Sequence, residues 1–156
     1  MKLTHIDNEG RPRMVDVSGK AETERTAVAR GEVRLAPEAL ELVVAGAVPK
    51  GDVLATARLA GIQAGKRASE WIPLCHPLRL THLDVVVEPV LVEGLIRVTA
   101  AAKAVDRTGV EMEALTAVAA ACLTVYDMCK SADKRMVIGD IRLVSKKGGK
   151  SGEFTW

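Results

Sequence analysis

Asp127 and Lys130 stand three residues apart, a carboxylate and an ammonium within one helical turn, while the neighbouring Val125 and Cys129 are apolar. On a helix that spacing turns the two charges toward one surface and leaves the apolar pair for the core. A carboxylate and an amine so placed set each other's charge state, and a ligand docked over them meets a proton acceptor and a proton donor. The same spacing also serves ion pairs that only decorate a helix. Lys50, in Val48-Pro49-Lys50-Gly51-Asp52, precedes a helical segment whose free N–H groups attract anions, so it can hold a phosphate or simply belong to a helix-entry turn. Gly148-Gly149-Lys150-Ser151 lacks the glycine spacing of a nucleotide-binding P-loop, although its charges can close over phosphate.

A second group of candidates lies in Pro73-Leu74-Cys75-His76-Pro77-Leu78. Proline fixes its own φ and biases the residue before it toward extended backbone, so Ile72 and His76 are held stiffly. Leu74, Cys75 and His76 can then line a pocket. Equally, the segment can be a helix-to-strand connection with Cys75 buried and His76 bonded to backbone. Glu111 and Glu113, with Met112 between them, open the longest helical pattern, where a carboxylate can bond a ligand or satisfy free N–H groups. Cys75, His76 and His82 are close in sequence but form no CxxC or HxxxH pair, so no metal centre is expected.

The elements that must position these groups follow from periodicity. Ala27, Ala29, Gly31, Val33 and Leu35 alternate with polar residues and predict a strand. Pro37 to Gly46 predicts a short helix, and Asp52 to Lys66 a second, with Asp52 as N-cap and Gly61 and Gly65 permitting close packing. Leu83, Val85 and Val87, then Leu95 to Val105, predict a hairpin. Val110 to Ala132 carries Leu115, Val118, Cys122, Val125 and Cys129 at alternating three- and four-residue intervals, a buried helical stripe. A last strand runs through Val137, Ile141 and Leu143. The expected fold is α+β, a ferredoxin-like sandwich with helices packed on one face of an antiparallel sheet. One domain spans 1–156, with an N-terminal arm over about 1–17 and a flexible basic tail over about 145–156.

Composition bounds the function. The 156 residues are 48% hydrophobic but only 3% aromatic, so the core must be built from small aliphatic side chains that allow close backbone approach. With 22 basic and 20 acidic residues, the charge of +2 gives no general field for nucleic acid or an anionic membrane, though a small anion remains suitable. Cys122 and Cys129 lie seven residues apart on one predicted helix, about 10.5 Å, beyond disulfide reach. An odd number of cysteines and the lack of a signal-peptide pattern point to a reducing cytoplasmic setting.

Met14-Val15-Asp16-Val17-Ser18, Lys50-Gly51-Asp52-Val53, Ala57-Arg58-Leu59-Ala60-Gly61-Ile62-Gln63-Ala64, Leu74-Cys75-His76-Pro77-Leu78, Thr108-Gly109-Val110-Glu111-Met112-Glu113-Ala114-Leu115 and Tyr126-Asp127-Met128-Cys129-Lys130 occur in this order. Together they resemble the cyclic pyranopterin monophosphate synthase family, accessory protein C of molybdenum cofactor biosynthesis, over nearly the whole chain. The resemblance implies a lyase that converts (8S)-3′,8-cyclo-7,8-dihydroguanosine 5′-triphosphate, supplied by a radical-SAM enzyme, into cyclic pyranopterin monophosphate with release of pyrophosphate. It implies Asp127 and Lys130 as the acid/base pair and Lys50 as a substrate contact. Leu74, Cys75, His76, Glu111, Met112 and Glu113 would be binding segments, with Lys66 and Lys146 as further pocket candidates. Lys50 and His76 are the expected holders of phosphate oxygens. A homohexamer built from dimers, with sites at subunit boundaries, is implied, as is no tightly bound cofactor beyond magnesium carried by the polyphosphate. A nucleotide-binding regulator would use Lys50 and the tail yet tolerate loss of Asp127.

Overall fold

In a computed structural model, which describes residues 4–156, the chain forms a five-stranded sheet with its helices laid against it. The strands are β1 (Thr23–Arg34), β2 (Leu80–Val90), β3 (Leu95–Asp106), β4 (Val137–Lys147) and the short β5 (Phe154–Thr155). The helices are α1 (Pro37–Val44), α2 (Val53–Gly65), the single-turn α3 (Ala68–Trp71) and α4 (Glu111–Cys129). Strand order is β2-β3-β1-β4-β5, and every pairing is antiparallel. The first four strands with α2 and α4 give the βαββαβ connectivity expected from the sequence, an α+β fold of ferredoxin-like order.

Alternation sets which face of the sheet is covered. Ala27, Ala29 and Val33 on β1 and Val98, Ala100, Ala102 and Ala104 on β3 are buried in one cluster with Ala114, Ala117, Val118, Ala121, Cys122 and Val125 of α4. α4 meets the length and apolarity of a membrane-crossing helix, but most of that apolar surface is buried within the protein. Small side chains let the layers approach closely. A Cβ on Gly31 would meet Val118 Cγ1 at 2.6 Å and Ile141 Cγ1 at 3.0 Å.

α2 and α4 also meet at close range. A Cβ at Gly61 would lie 2.9 Å from the Ala117 carbonyl oxygen, and one at Gly65 would lie 2.6 Å from Leu83 Cδ2 and 3.0 Å from the Glu113 carbonyl oxygen. Gly61 therefore faces the middle of α4 and Gly65 its beginning, so the two helices run antiparallel. Asp52 caps α2 by accepting the Ala55 N–H at 3.0 Å, as its position predicts.

Both chain ends depart from a simple arm-and-tail picture. The first three residues of the expected arm lie outside the described residues. Beyond them the arm folds on itself, with an isolated bridge between Ile6 and Pro12 and with Asp7 accepting the N–H groups of Glu9 and Arg11. The expected flexible tail is built into the sheet at both its ends. Ser145, Lys146 and Lys147 complete β4, and Phe154–Thr155 returns to pair with Lys146 and Ser145. The Trp156 ring lies 5.4 Å from the Arg142 guanidinium. Its glycines, which read as flexibility in sequence, serve contact here: a Cβ on Gly149 would fall onto the Arg25 guanidinium, and one on Gly148 onto the Glu24 carbonyl.

Alanine at Gly61 would gain roughly 0.5–1 kcal/mol of helix propensity, but the obstructing atom is backbone and cannot rotate away, so the overpacking cost of about 1–3 kcal/mol governs. Gly61→Ala is expected to lower stability by about 1–2 kcal/mol, read as a fall of a few degrees in Tm. A raised Tm would show that α2 and α4 have room between them.

Candidate functional site

Antiparallel packing of α2 on α4 brings the residue just ahead of α2 to the end of α4. Lys50 Nζ bonds Asp127 Oδ2 at 2.7 Å and the Asp127 carbonyl at 2.9 Å, while Lys130 Nζ bonds Asp127 Oδ1 at 2.7 Å. One carboxylate thus sits between two ammonium groups on an open surface. The hydrogen bonds from Lys130 and then Lys50 hold the Asp127 carboxyl down to about 2, and the Asp127 carboxylate raises Lys130 in return. Lys50 was expected to meet phosphate at the N-terminus of α2. Without a ligand its ammonium engages Asp127, and the Asp52 carboxylate caps α2.

The other candidates gather at the opposite end of α4. Leu74, Cys75, His76, Glu111 and Met112 line a cavity of about 530 Å³ together with Thr4, His5, Val15 and Val17 from the arm. His76 Nε2 lies 2.7 Å from the Val15 carbonyl oxygen, so the ring expected to hold phosphate bonds main chain. Cys75 Sγ lies 3.8 Å from Glu113 Oε1. Burial, then the charge of Glu113, pushes the Cys75 thiol up to about 11, which keeps it protonated at neutral pH and unsuited to nucleophilic attack. Glu113 is only 3% exposed, and its Oε2 has no hydrogen-bond partner. Burial is the main cause that raises its carboxyl above the usual range.

A second cavity of about 610 Å³ adjoins the first, with Lys20, Thr108, Gly109 and Glu111 in both walls. Lys20, Arg25, Arg107, Lys146, Lys147 and Lys150 line it against the single carboxylate of Glu111. Lys146 Nζ bonds Glu111 Oε1 at 2.8 Å and Ser151 Oγ at 3.0 Å. The Nε groups of Arg25 and Arg107 are buried without partners. Lys146 is thereby placed with the binding segments, whereas Lys66, at the C-terminal cap of α2, is exposed and lines neither cavity.

Sequence reading passes over Lys20, Arg25 and Arg107 as pocket groups, whereas the tail that carries Lys147 and Lys150 reads as able to close over phosphate and does line the cavity. Arg25 shares the parity of Ala27 and Ala29 rather than that of the polar residues of β1 and has no spacing signature, and Arg107 sits in Asp106-Arg107-Thr108-Gly109, which reads only as a turn. Among the described residues no three His, Cys, Asp or Glu side chains gather to hold a metal ion.

From Glu111 to Asp127 is sixteen steps along one helix, about 24 Å. A single rigid helix thus holds the Asp127 cluster and the two cavities at its opposite ends, beyond reach of one small ligand.

These charge environments have two measurable consequences. Removing one of the two ammonium groups from Asp127 should move its carboxyl titration upward from about 2 toward the ordinary 3.8. Carbon-detected NMR of Lys50→Ala would read that shift, and an unmoved midpoint would exclude the ion pair in solution. For Glu113 the folded state favours the protonated acid, so the unfolded chain holds fewer protons above its ordinary 4.5, and stability falls as pH rises through the folded value. Between pH 5 and pH 8, Glu113→Gln should lose less Tm than the parent protein does; equal losses would show that Glu113 ionises freely when folded.

The sequence matches the model of the MoaC family over residues 14–149. It is 59% identical over 152 residues to a cyclic pyranopterin monophosphate synthase of Roseiflexus sp. (strain RS-1), covering 97% of this chain and 96% of that one. A Clostridium perfringens (strain 13 / Type A) protein of the same name is 57% identical over 155 residues, covering 99% and 98%. A third, from Brucella ovis, is 58% identical over 153 residues, covering 98% and 93%. With the family pattern spanning α4 and most of the lining of both cavities, and relatives of this identity aligned almost end to end, the chain belongs to the MoaC family.

Proposed function

We propose that the protein converts (8S)-3′,8-cyclo-7,8-dihydroguanosine 5′-triphosphate to cyclic pyranopterin monophosphate and pyrophosphate. The carrying observation is the pair of adjoining cavities, one lined by six cationic side chains and the other by Leu74, Cys75, His76 and Met112. A triphosphate suits the first, where the guanidinium groups of Arg25 and Arg107 stand among four lysines. The fused rings suit the second, which is less polar and offers Glu111 at the shared wall. The name carried by the three relatives agrees with this product.

The chemistry asks for proton transfers during ring rearrangement, and for cation stabilisation as a cyclic phosphate forms and pyrophosphate departs. Asp127 takes and returns protons; Lys130 donates or sets the charge of Asp127; Lys50 completes the cluster. At rest Asp127 is too weak a base for neutral pH, because two ammonium groups hold it near 2. An anionic substrate that draws Lys50 and Lys130 to itself removes those bonds and lets the basicity of Asp127 rise. Magnesium, where it takes part, enters on the polyphosphate rather than in a protein cage.

The separation of about 24 Å along α4 favours a site assembled from two chains, with Asp127, Lys130 and Lys50 of one protomer facing the cavities of another. A homohexamer of dimers meets that requirement. A cytoplasmic location, with substrate supplied by a radical-SAM enzyme, completes the reading.

Incubation with the cyclic dihydroguanosine triphosphate tests it, with product and pyrophosphate as readouts; saturable binding without turnover would replace the enzyme with a regulator. Asp127→Asn should lower single-turnover rate by roughly 10²- to 10⁴-fold with the assembled mass unchanged. Because Lys50 and Asp127 share one cluster, complementation must pair Asp127→Asn with a cavity variant such as Lys146→Ala. Random mixing should restore about a quarter of parental activity if each site draws on two chains of a twofold dimer. No recovery after verified mixing would place both halves of the site on one chain.

A further inference from the structure

We infer that Asp133 is a positioning residue for the Asp127 cluster: its buried carboxylate ties the loop after Lys130 to the start of α1 and so fixes where Lys50 and Lys130 meet Asp127. Asp133 is 8% exposed and lines neither cavity. Its Oδ2 accepts the Ala36 N–H at 2.8 Å, and its Oδ1 accepts the Arg135 N–H at 2.8 Å. These two bonds, that from Ala36 first, hold its carboxyl below the ordinary value, so it stands as an anion at neutral pH. Ala36 is the N-cap of α1 and offers that helix no side-chain cap. An anion from 97 positions along the chain stands at this N-terminus, where the helix dipole favours it.

Two stretches of chain, Ala36 to Lys50 and Asp127 to Asp133, are thereby joined at both ends. Asp133 meets Ala36 at one joint, and Asp127 meets Lys50 at 2.7 Å at the other. The second joint is exposed, and ion pairs of that kind hold a backbone only weakly. The first is sheltered and charge-assisted, so it is the firmer of the two. Each stretch is stiff enough to transmit that hold. On one side α1 buries Ala39, Leu40 and Val43, and Val48 is buried just ahead of Lys50. On the other, the N–H groups of Ala132 and Asp133 donate to the Cys129 carbonyl at 2.8 and 3.1 Å, and the Tyr126 hydroxyl donates to the Lys134 carbonyl at 3.2 Å. Lys130 therefore lies between a helix and a fastened loop. The Asp133 carboxylate bonds main-chain N–H groups, so it acts on the cluster through the backbone.

The consequence for catalysis rests on the proposed enzymatic reading, whereas the hold on the cluster does not, and the test separates them. Asp133→Ala removes both bonds; Asp133→Asn keeps an acceptor oxygen for one N–H and turns an amide NH₂ toward the other. In the full-length protein, carbon-detected NMR should show the Asp127 carboxyl midpoint rising from about 2 toward 3.8 in Asp133→Ala, and by a smaller step in Asp133→Asn. The single-turnover rate with saturating cyclic dihydroguanosine triphosphate should fall roughly 10- to 100-fold in Asp133→Ala and less in Asp133→Asn, because a small misplacement of reacting groups is enough for such a loss. A lowered Tm with Asp127 titrating as in the parent would overturn the proposal, since a residue that only stabilises the fold leaves the cluster intact. Should Asp133→Ala not fold, a parental Asp127 midpoint in Asp133→Asn overturns it in the same way. A moved midpoint with an unchanged single-turnover rate would overturn the part of Asp133 in catalysis. A parent protein that yields no product would overturn the enzymatic reading alone, since the titration is read without substrate.

Discussion

The contact between α2 and α4 governs the rest of the molecule. Two glycines four residues apart let the helices touch backbone to backbone, with Gly61 over Ala117 and Gly65 over Glu113. That contact sets the antiparallel register of the pair, and the register decides which loops meet. The entry to α2 is carried to the exit of α4, where Lys50 finds Asp127; the exit of α2 leads to the Pro-flanked segment beside the entry to α4. A bulkier side chain at either glycine would push the helices apart and move both ends at once. A core with hardly any aromatic residues belongs to the same design, since large rings would not fit layers this close.

Charge is distributed along that frame unevenly. At the exit of α4 two ammonium groups share one exposed carboxylate, an arrangement with little intrinsic stability but a strong hold on the protonation of Asp127. At the entry, six cationic side chains surround a cavity with one carboxylate in its wall, and their mutual repulsion is relieved in part by the Lys146–Glu111, Arg107–Glu22 and Lys147–Glu153 pairs. Beside them Glu113 is buried with an unpartnered oxygen, a placement that opposes its ionisation. The acid next to the basic cavity is thus biased toward its protonated form, while the distant Asp127 is held toward its charged form. Their environments push the two carboxyl groups in opposite directions, burial raising Glu113 and the two ammonium groups lowering Asp127.

What could be read from sequence follows the range of the interaction that determines it. The strand from Thr23 and the long helix from Glu111 are written in local periodicity, and Asp52 as a cap in a three-residue relation; each is found where expected. Lys50 and Asp127 are 77 residues apart, and no local pattern records that two helices will pack antiparallel and join them. Arg25 and Arg107 were missed for a related reason: single arginines on a strand and in a turn have no spacing signature, and only the folded sheet sets them around one cavity. The glycine-rich tail misled in the opposite sense. Gly148 and Gly149 signal flexibility by composition, yet here the missing Cβ atoms make room for Glu24 and Arg25 beneath. The bland expectation for His76, a hydrogen bond to backbone, is the one the structure shows, although its partner lies 61 residues away.

The division of labour between rigid and adaptable parts follows from these constraints. α4 keeps the Asp127 cluster and the cavities at a fixed separation, because a buried helix neither stretches nor bends readily. Part of each cavity wall comes instead from the arm, the Pro-flanked segment or the glycine-rich return, which are attached at few points: one hydrogen bond for the arm, two paired positions for β5. Segments held so lightly lie at the low end of local stability and can adjust to a ligand without disturbing the core. The frame therefore imposes distance and the loops supply fit. A ligand that needs both ends of α4 must obtain one of them from another copy of the chain, because no adjustment of the loops shortens the helix between them.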